Sequence, residues 1–203
     1  MARVLGLTGN IACGKTSVGA MLLELGAERY IDADATVHQL YERGQPIAEQ
    51  VERAFGPRVM AADGSVNRKA LGAIVFHDAD AMRRLEQIVH PAVGVALSNE
   101  LAKASASGIV VLDAVKLLEG NSSALCQSKW LVVCSEEQEL ARLMARNALS
   151  EQEAMARIHA QTPVAAKRAL VDEIVDNSGT LDETRQQVEA AFARFCAKFS
   201  VHV

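Results

Sequence analysis

The chain has 203 residues, with 21 Lys and Arg against 25 Asp and Glu and a formal net charge of −4. That balance excludes the basic footprint of a duplex nucleic-acid binder, and a chain of this length buries roughly 70% of its unfolded surface without needing disulfides. Half of the residues are hydrophobic but only 4% are aromatic, so the core must come from Ala, Val, Leu and Ile. Cys13, Cys126, Cys134 and Cys196 form no C-x-x-C pair, which argues against a zinc site and for reduced thiols in a cytoplasmic protein. No stretch approaches 18 apolar residues, and the glycine-broken N-terminal run has no small-residue cleavage site, so neither a membrane span nor a secretory leader is expected.

Five short apolar runs read as buried parallel strands: Val4–Thr8, Arg29–Ile31, Ile109–Leu112, Trp130–Cys134 and Glu173–Val175. Helical spacing fills the intervals. Ser135 with Gln138, Ser150 with Glu153 and Thr180 with Glu183 each match a capping box. Strands alternating with helices predict an open α/β sheet. Residues 34–108 interrupt that rhythm: they hold helix-like pieces separated by turn signals at Gly44-Gln45-Pro46, Gly56-Pro57 and Ala62-Asp63-Gly64-Ser65. A simple crossover needs far fewer residues, so a helical subdomain is expected there. A second helical excursion, 136–168, carries Arg142, Arg146, Arg157 and Arg168.

Gly9-Asn10-Ile11-Ala12-Cys13-Gly14-Lys15-Thr16 matches G-x-x-x-x-G-K-[ST]. By composition alone such a match arises in roughly one chain per hundred, and here it follows a strand and opens a helix over Ser17–Leu25. Gly9 and Gly14 let the backbone turn its N–H groups onto a phosphate at a helix N-terminus. Lys15 supplies a point charge for the β and γ oxygens, and the Thr16 hydroxyl suits Mg²⁺. The chemistry is nucleotide binding, with ATP and Mg²⁺ expected; the loop alone does not choose a reaction.

Ile31-Asp32-Ala33-Asp34 ends the second strand, where ligands of an open α/β sheet sit. Two readings of Asp34 stay open: a base that takes the proton of an acceptor hydroxyl, or a cap for a helix over Ala35–Tyr41. Asp113, at the end of the third strand, either holds Mg²⁺ or substrate, or caps a turn. Arg142 and Arg146, four apart, share a helix face. On spacing alone they read as a solvated face, with Glu139 as the partner of Arg142.

These residues resemble the dephospho-CoA kinase family. The likeness lies in Thr8-Gly9, Gly14-Lys15-Thr16 and Ile31-Asp32-Ala33-Asp34, then in Ala62-Asp63-Gly64-Ser65, Asn67-Arg68-Lys69 and His90-Pro91. It continues through Val111-Leu112-Asp113, Arg142 to Arg146, Ala156-Arg157-Ile158 with Gln161, and Val175-Asp176-Asn177, and so spans almost the whole chain. The resemblance implies ATP-dependent phosphorylation of the ribose 3′-hydroxyl of dephospho-CoA. It also implies an adenylate-kinase-like P-loop fold: a five-stranded parallel core (1–33, 90–135 and 169–203), a helical substrate-binding insertion (34–89) and a helical lid (136–168). Asp34 carries over as the base, with Lys15 and Arg142 as its catalytic companions. Gly9, Asn10, Ala12, Cys13, Gly14, Lys15, Thr16, Ser17, Arg146 and Asn177 carry over to the nucleotide, the Asn177 amide at an adenine edge. Asp34, Arg68, His90, Asp113 and Lys116 carry over to the substrate, and Thr16 and Asp113 to the metal. A monomer or weak homo-oligomer is expected.

The chain departs from the usual family pattern at several positions. Asn10, Ala12 and Cys13 stand where Gly, Gly and Ser are usual, with Asn10 expected to tolerate a positive φ. His38 stands for an Arg and Lys116 for a Pro. Cys13 inside the loop suggests redox control of nucleotide binding. His77, His159 and His202 receive no role. The alternatives are a related kinase acting on a nucleoside monophosphate or sugar acid, or an ATP-binding regulator without transfer activity.

Overall fold

Every residue of the central strand but its first is buried, which fixes the architecture around it. The computed structural model describes residues 2–200, so His202 lies outside the described residues. In chain order the elements are β1 (Arg3–Gly9), α1 (Lys15–Glu24), β2 (Arg29–Asp32), α2 (Ala33–Leu40), α3 (Pro46–Phe55), α4 (Arg68–Val75) and α5 (Ala79–Leu101). They continue with β3 (Ile109–Asp113), β4 (Ser128–Val133), α6 (Glu136–Asn147), α7 (Glu151–His159), α8 (Val164–Arg168), β5 (Glu173–Asp176) and α9 (Leu181–Phe199). The five strands form one parallel sheet in the order β2-β3-β1-β4-β5. Each expected strand forms with ends shifted by one or two residues; β4 starts earlier, at Ser128, and stops at Val133, short of Cys134.

The chain divides into two compact units, Met1–Asp32 with Leu101–Val203, and Ala33–Glu100. In the first, β1 and β3 are apolar on both sides because helices cover both faces of a parallel sheet. Leu5, Leu7, Val18, Leu22, Val111, Trp130 and Val132 form the centre, and α9 closes it with Val188, Phe192 and Phe195. Each such side chain contributes about 1.5–3 kcal/mol of burial. Thr180–Glu183 and Ser150–Glu153 make reciprocal capping boxes at α9 and α7. At α6 the Ser135 hydroxyl accepts from Gln138 N, while the Gln138 side chain donates instead to Ser178 O.

The second unit is helical, with a core of Ile47, Ala48, Val51, Val59, Val66, Leu71, Val75 and Val89. Met60 and Val66 bridge across the turn Ala62-Asp63-Gly64-Ser65, whose Asp63 carboxylate accepts from the Ser65 N–H and hydroxyl at 2.9 and 2.6 Å. Asn67 then caps α4 through Ala70 N at 3.1 Å. The unit extends further than sequence suggests, because α5 carries Pro91 inside it and runs on to Leu101. Residues 90–100 therefore group with this unit, not with the sheet. Residues 136–168 supply α6, α7 and α8, all within the first unit.

Candidate active site

The loop Gly9–Thr16 joins the central strand to α1, so its backbone is anchored at both ends by buried structure. Gly14 caps α1 with φ 100°, and a Cβ there would collide with the Asn177 amide. Within the loop, the non-glycine residue with a left-handed backbone is Ala12, at φ 62°. This corrects the expectation for Asn10: the strained position is Ala12, which bears a side chain at a cost of roughly 1–2 kcal/mol.

Four consecutive loop residues are each held by a side chain from beyond the loop. Asn10 Oδ1 accepts from Lys167 Nζ at 2.9 Å, and Ile11 N donates to Gln161 Oε1 at 2.8 Å. Ala12 O accepts from Arg142 Nη1 at 3.5 Å, and Cys13 O from Asn177 Nδ2 at 2.9 Å. Ile11 and Ala12 also pack on the apolar cluster of Leu143, Ala154 and Ile158. Lys15 Nζ donates to Gly9 O at 3.2 Å, while the side chains of Thr16 and Ser17 stand exposed on the first turn of α1.

Asn177 is buried, and its amide is used internally. Besides the bond to Cys13 O, its Oδ1 accepts from the Thr184 hydroxyl at 3.0 Å. It therefore tethers the loop, and the expected reading of an adenine edge does not fit. Arg142 also reaches Asn177 O at 3.4 Å. Arg146, four residues on, is exposed and turned to Asn147 Oδ1 at 3.1 Å, so the two arginines do not act on the loop together. Glu139 is no surface partner of Arg142. It is 4% exposed, and burial with Glu136 nearby pushes its pKa up against the pull of Lys167 and Lys15.

Cys13 is fully buried, and burial raises its thiol pKa despite the nearby Lys15. A buried thiol held in the protonated form is a poor nucleophile toward oxidants, which overturns the expected redox control. Cys126, Cys134 and Cys196 are raised too, each mainly by burial.

Asp113 lies opposite Leu7 of β1 and Asp32 of β2 in the sheet register, with neighbouring strands about 4.8 Å apart. The Tyr30 hydroxyl donates to its Oδ2. Lys116 follows β3 in an exposed turn. In the second unit α2 starts at Ala33, so Asp34 is its second residue, exposed in the first turn. That removes the alternative in which Asp34 caps a helix starting at Ala35. Arg68, the first residue of α4, donates through Nη1 to His38 Nε2, which joins two positions singled out separately in sequence. His90 is exposed within α5. Sequence reasoning missed Lys167, because a lysine paired with Arg168 on a five-residue helix reads as surface. It named Gln161 without foreseeing its bond to the loop backbone at Ile11.

A five-stranded parallel sheet of this order, with the G-x-x-x-x-G-K-T turn after its central strand and an arginine on that turn, defines a P-loop kinase of the small-molecule class. The family model for dephospho-CoA kinase matches residues 3–183, and the chain belongs to the dephospho-CoA kinase family. It is 47% identical to the dephospho-CoA kinase of Symbiobacterium thermophilum over 96% of this chain and 82% of that one. The crystal structure of TT1252 from Thermus thermophilus superposes with a TM-score of 0.82 at 32% identity, covering 95% of this chain and 97% of the other. The dephospho-CoA kinase from Campylobacter jejuni shares the fold at a TM-score of 0.60 and 24% identity, over 95% and 97% of the two chains. Among the described residues, no helix is long and apolar enough to cross a membrane.

Proposed function

We propose that this chain transfers the γ-phosphoryl group of ATP to the ribose 3′-hydroxyl of dephospho-CoA, yielding coenzyme A and ADP. The observation that carries the reading is a phosphate loop of the right form in a chain that the dephospho-CoA kinase family model matches over residues 3–183. The loop N–H groups and the α1 N-terminus hold the β-phosphate, with the Lys15 ammonium swinging from Gly9 O to the β and γ oxygens. Arg142, already on the loop at Ala12 O, neutralises charge on the transferring group. Asp34 orients the acceptor hydroxyl and takes its proton as the new O–P bond forms and the bond to the β-phosphate bridging oxygen breaks. Arg68, braced by His38, and Lys116 supply cationic contacts for the substrate phosphates, His90 adds a further substrate contact, and α6–α8 act as the lid.

Mg²⁺ fits the donors offered. The Thr16 hydroxyl and the Asp113 carboxylate are hard oxygen ligands, and among the described residues no group of three or more His, Cys, Asp or Glu makes a dedicated cage. That is the pattern of an ion held by one or two protein oxygens plus nucleotide phosphates. When bound, the ion would supply charge neutralisation for the transferring phosphoryl group. We place the enzyme in the cytoplasm as a monomer or weak homo-oligomer, a setting in keeping with its free cysteines.

The test is coupled ADP release with dephospho-CoA beside AMP, CMP and gluconate as acceptors. Turnover with dephospho-CoA alone supports the reading; preference for another acceptor makes this a different kinase, and ATP binding without ADP release makes it a regulator. In the same assay Asp34→Asn lowers kcat by roughly 10²–10⁴ with ATP affinity kept. Unchanged turnover removes Asp34 from the base role.

A further inference from the structure

Lysine is almost never fully buried unless it is paired, yet Lys167 is 2% exposed. It projects from α8, and its ammonium donates to the side chain of Asn10, itself 6% exposed, at the front of the phosphate loop. Of the four side chains that grip the loop, only Lys167 is a buried cation, and only Lys167 binds a loop side chain; Gln161, Arg142 and Asn177 bind loop backbone. Burial lowers its pKa, Glu119 and Glu139 favour its charge, and Lys15 opposes it. Two ammonium groups thus act on one loop, Lys167 at Asn10 and Lys15 at Gly9 O, and the α1 helix that follows the loop also presents its positive end there.

Burying an ammonium group costs free energy that an apolar side chain of the same length would not. Folding alone gives no reason to bear that cost at the one strand–helix turn built for anions. A polyphosphate does, because a tail of several negative charges gains from each fixed cation and from a loop already in shape.

We propose that Lys167 is a positioning residue for the nucleotide polyphosphate: acting through Asn10, its ammonium fixes the front of the phosphate loop and adds a second fixed cation beside Lys15. The inference rests on ATP binding at this loop, as proposed above.

The experiment uses the full chain and measures Kd for ATP by calorimetry and KM for ATP and dephospho-CoA in parent, Lys167→Met, Lys167→Arg, Asn10→Gly and the Lys167→Met/Asn10→Gly double variant. Lys167→Met is expected to weaken ATP by about ten- to hundredfold, the scale set by small misplacements in such sites, with the acceptor KM within about twofold. Lys167→Arg restores part of the affinity. Asn10→Gly weakens ATP as well, and the double variant binds no worse than the weaker single one, since both act through one contact. A folded Lys167→Met protein with parental ATP affinity overturns the proposal, as do equal losses for both substrates or fully additive effects. Should Lys167→Met not fold, Asn10→Gly decides: parental ATP affinity in that variant overturns the proposal equally. A parent that binds no ATP at all sinks the nucleotide reading itself, a result distinct from any of these.

Discussion

The Tyr30 hydroxyl on β2 donates its hydrogen bond to Asp113 Oδ2 at the end of β3. The ring lies along α1 at Gly19, where a Cβ would overlap it, so a small residue on the helix makes room for a phenol beneath the site. Burial and the Asp113 carboxylate both raise the Tyr30 pKa, which keeps the proton on the phenol at every working pH.

Tyr30→Phe removes that donor with little change in volume. A hydrogen bond to a charged acceptor contributes about 1.5–3 kcal/mol, so Tm falls by roughly 3–12 °C in calorimetry. If Asp113 helps hold Mg²⁺, losing its orienting partner also raises the half-saturating Mg²⁺ concentration by about 10–100-fold. A stability loss with no change in Mg²⁺ dependence returns Asp113 to a structural role.

Ala12→Gly relieves the left-handed strain in the phosphate loop. The gain of roughly 1–2 kcal/mol is partly offset by the extra freedom of glycine in the unfolded chain and by a lost methyl contact. The net rise is about 1–3 °C in Tm, and a fall would show that Ala12 packing outweighs its strain.

Glu139→Gln tests the buried carboxylate behind the loop, whose Oε1 has no hydrogen-bond partner among the described residues. Its folded pKa lies above the ordinary 4.5, chiefly through burial. The folded protein therefore binds the proton more tightly than the unfolded chain. The contribution is fully present below 4.5 and lost as pH rises through the raised value. Urea unfolding from about pH 4 to pH 8 is expected to show the variant gaining on the parent with rising pH and then levelling off. A constant gap across that range would contradict the shift.

The sheet was legible because its inner strands β1 and β3 are apolar on both sides and because one motif marks the β1–α1 turn. The loop's inner geometry was not. Positive φ fell on Ala12, not Asn10, since the turn shape is set by Asn177, Arg142 and Gln161 arriving from distant segments. Asn177 was recognisable as a site residue but not in its task, which depends on Thr184 fixing its amide from α9. Lys167 left no local signal at all: α8 spans five residues, too short for periodicity to show which side faces inward. The expected end of the insertion at residue 89 falls inside α5, which passes through Pro91 with Val89 packed in the helical unit's core just before it.

The strand pairing also sets an order of events during synthesis. Arg3 of β1 sits beside Ile109 and Arg29 of β2 beside Val110, so neither early strand has a neighbour until β3 is made. At translation rates of about 5–20 residues per second, both wait unpaired for several seconds while the whole of Ala33–Glu100 emerges. That helical unit, rich in near-neighbour contacts, is free to collapse first. The nucleotide pocket, completed only when α8, Asn177 and α9 arrive, is the last part of the nascent chain to take shape.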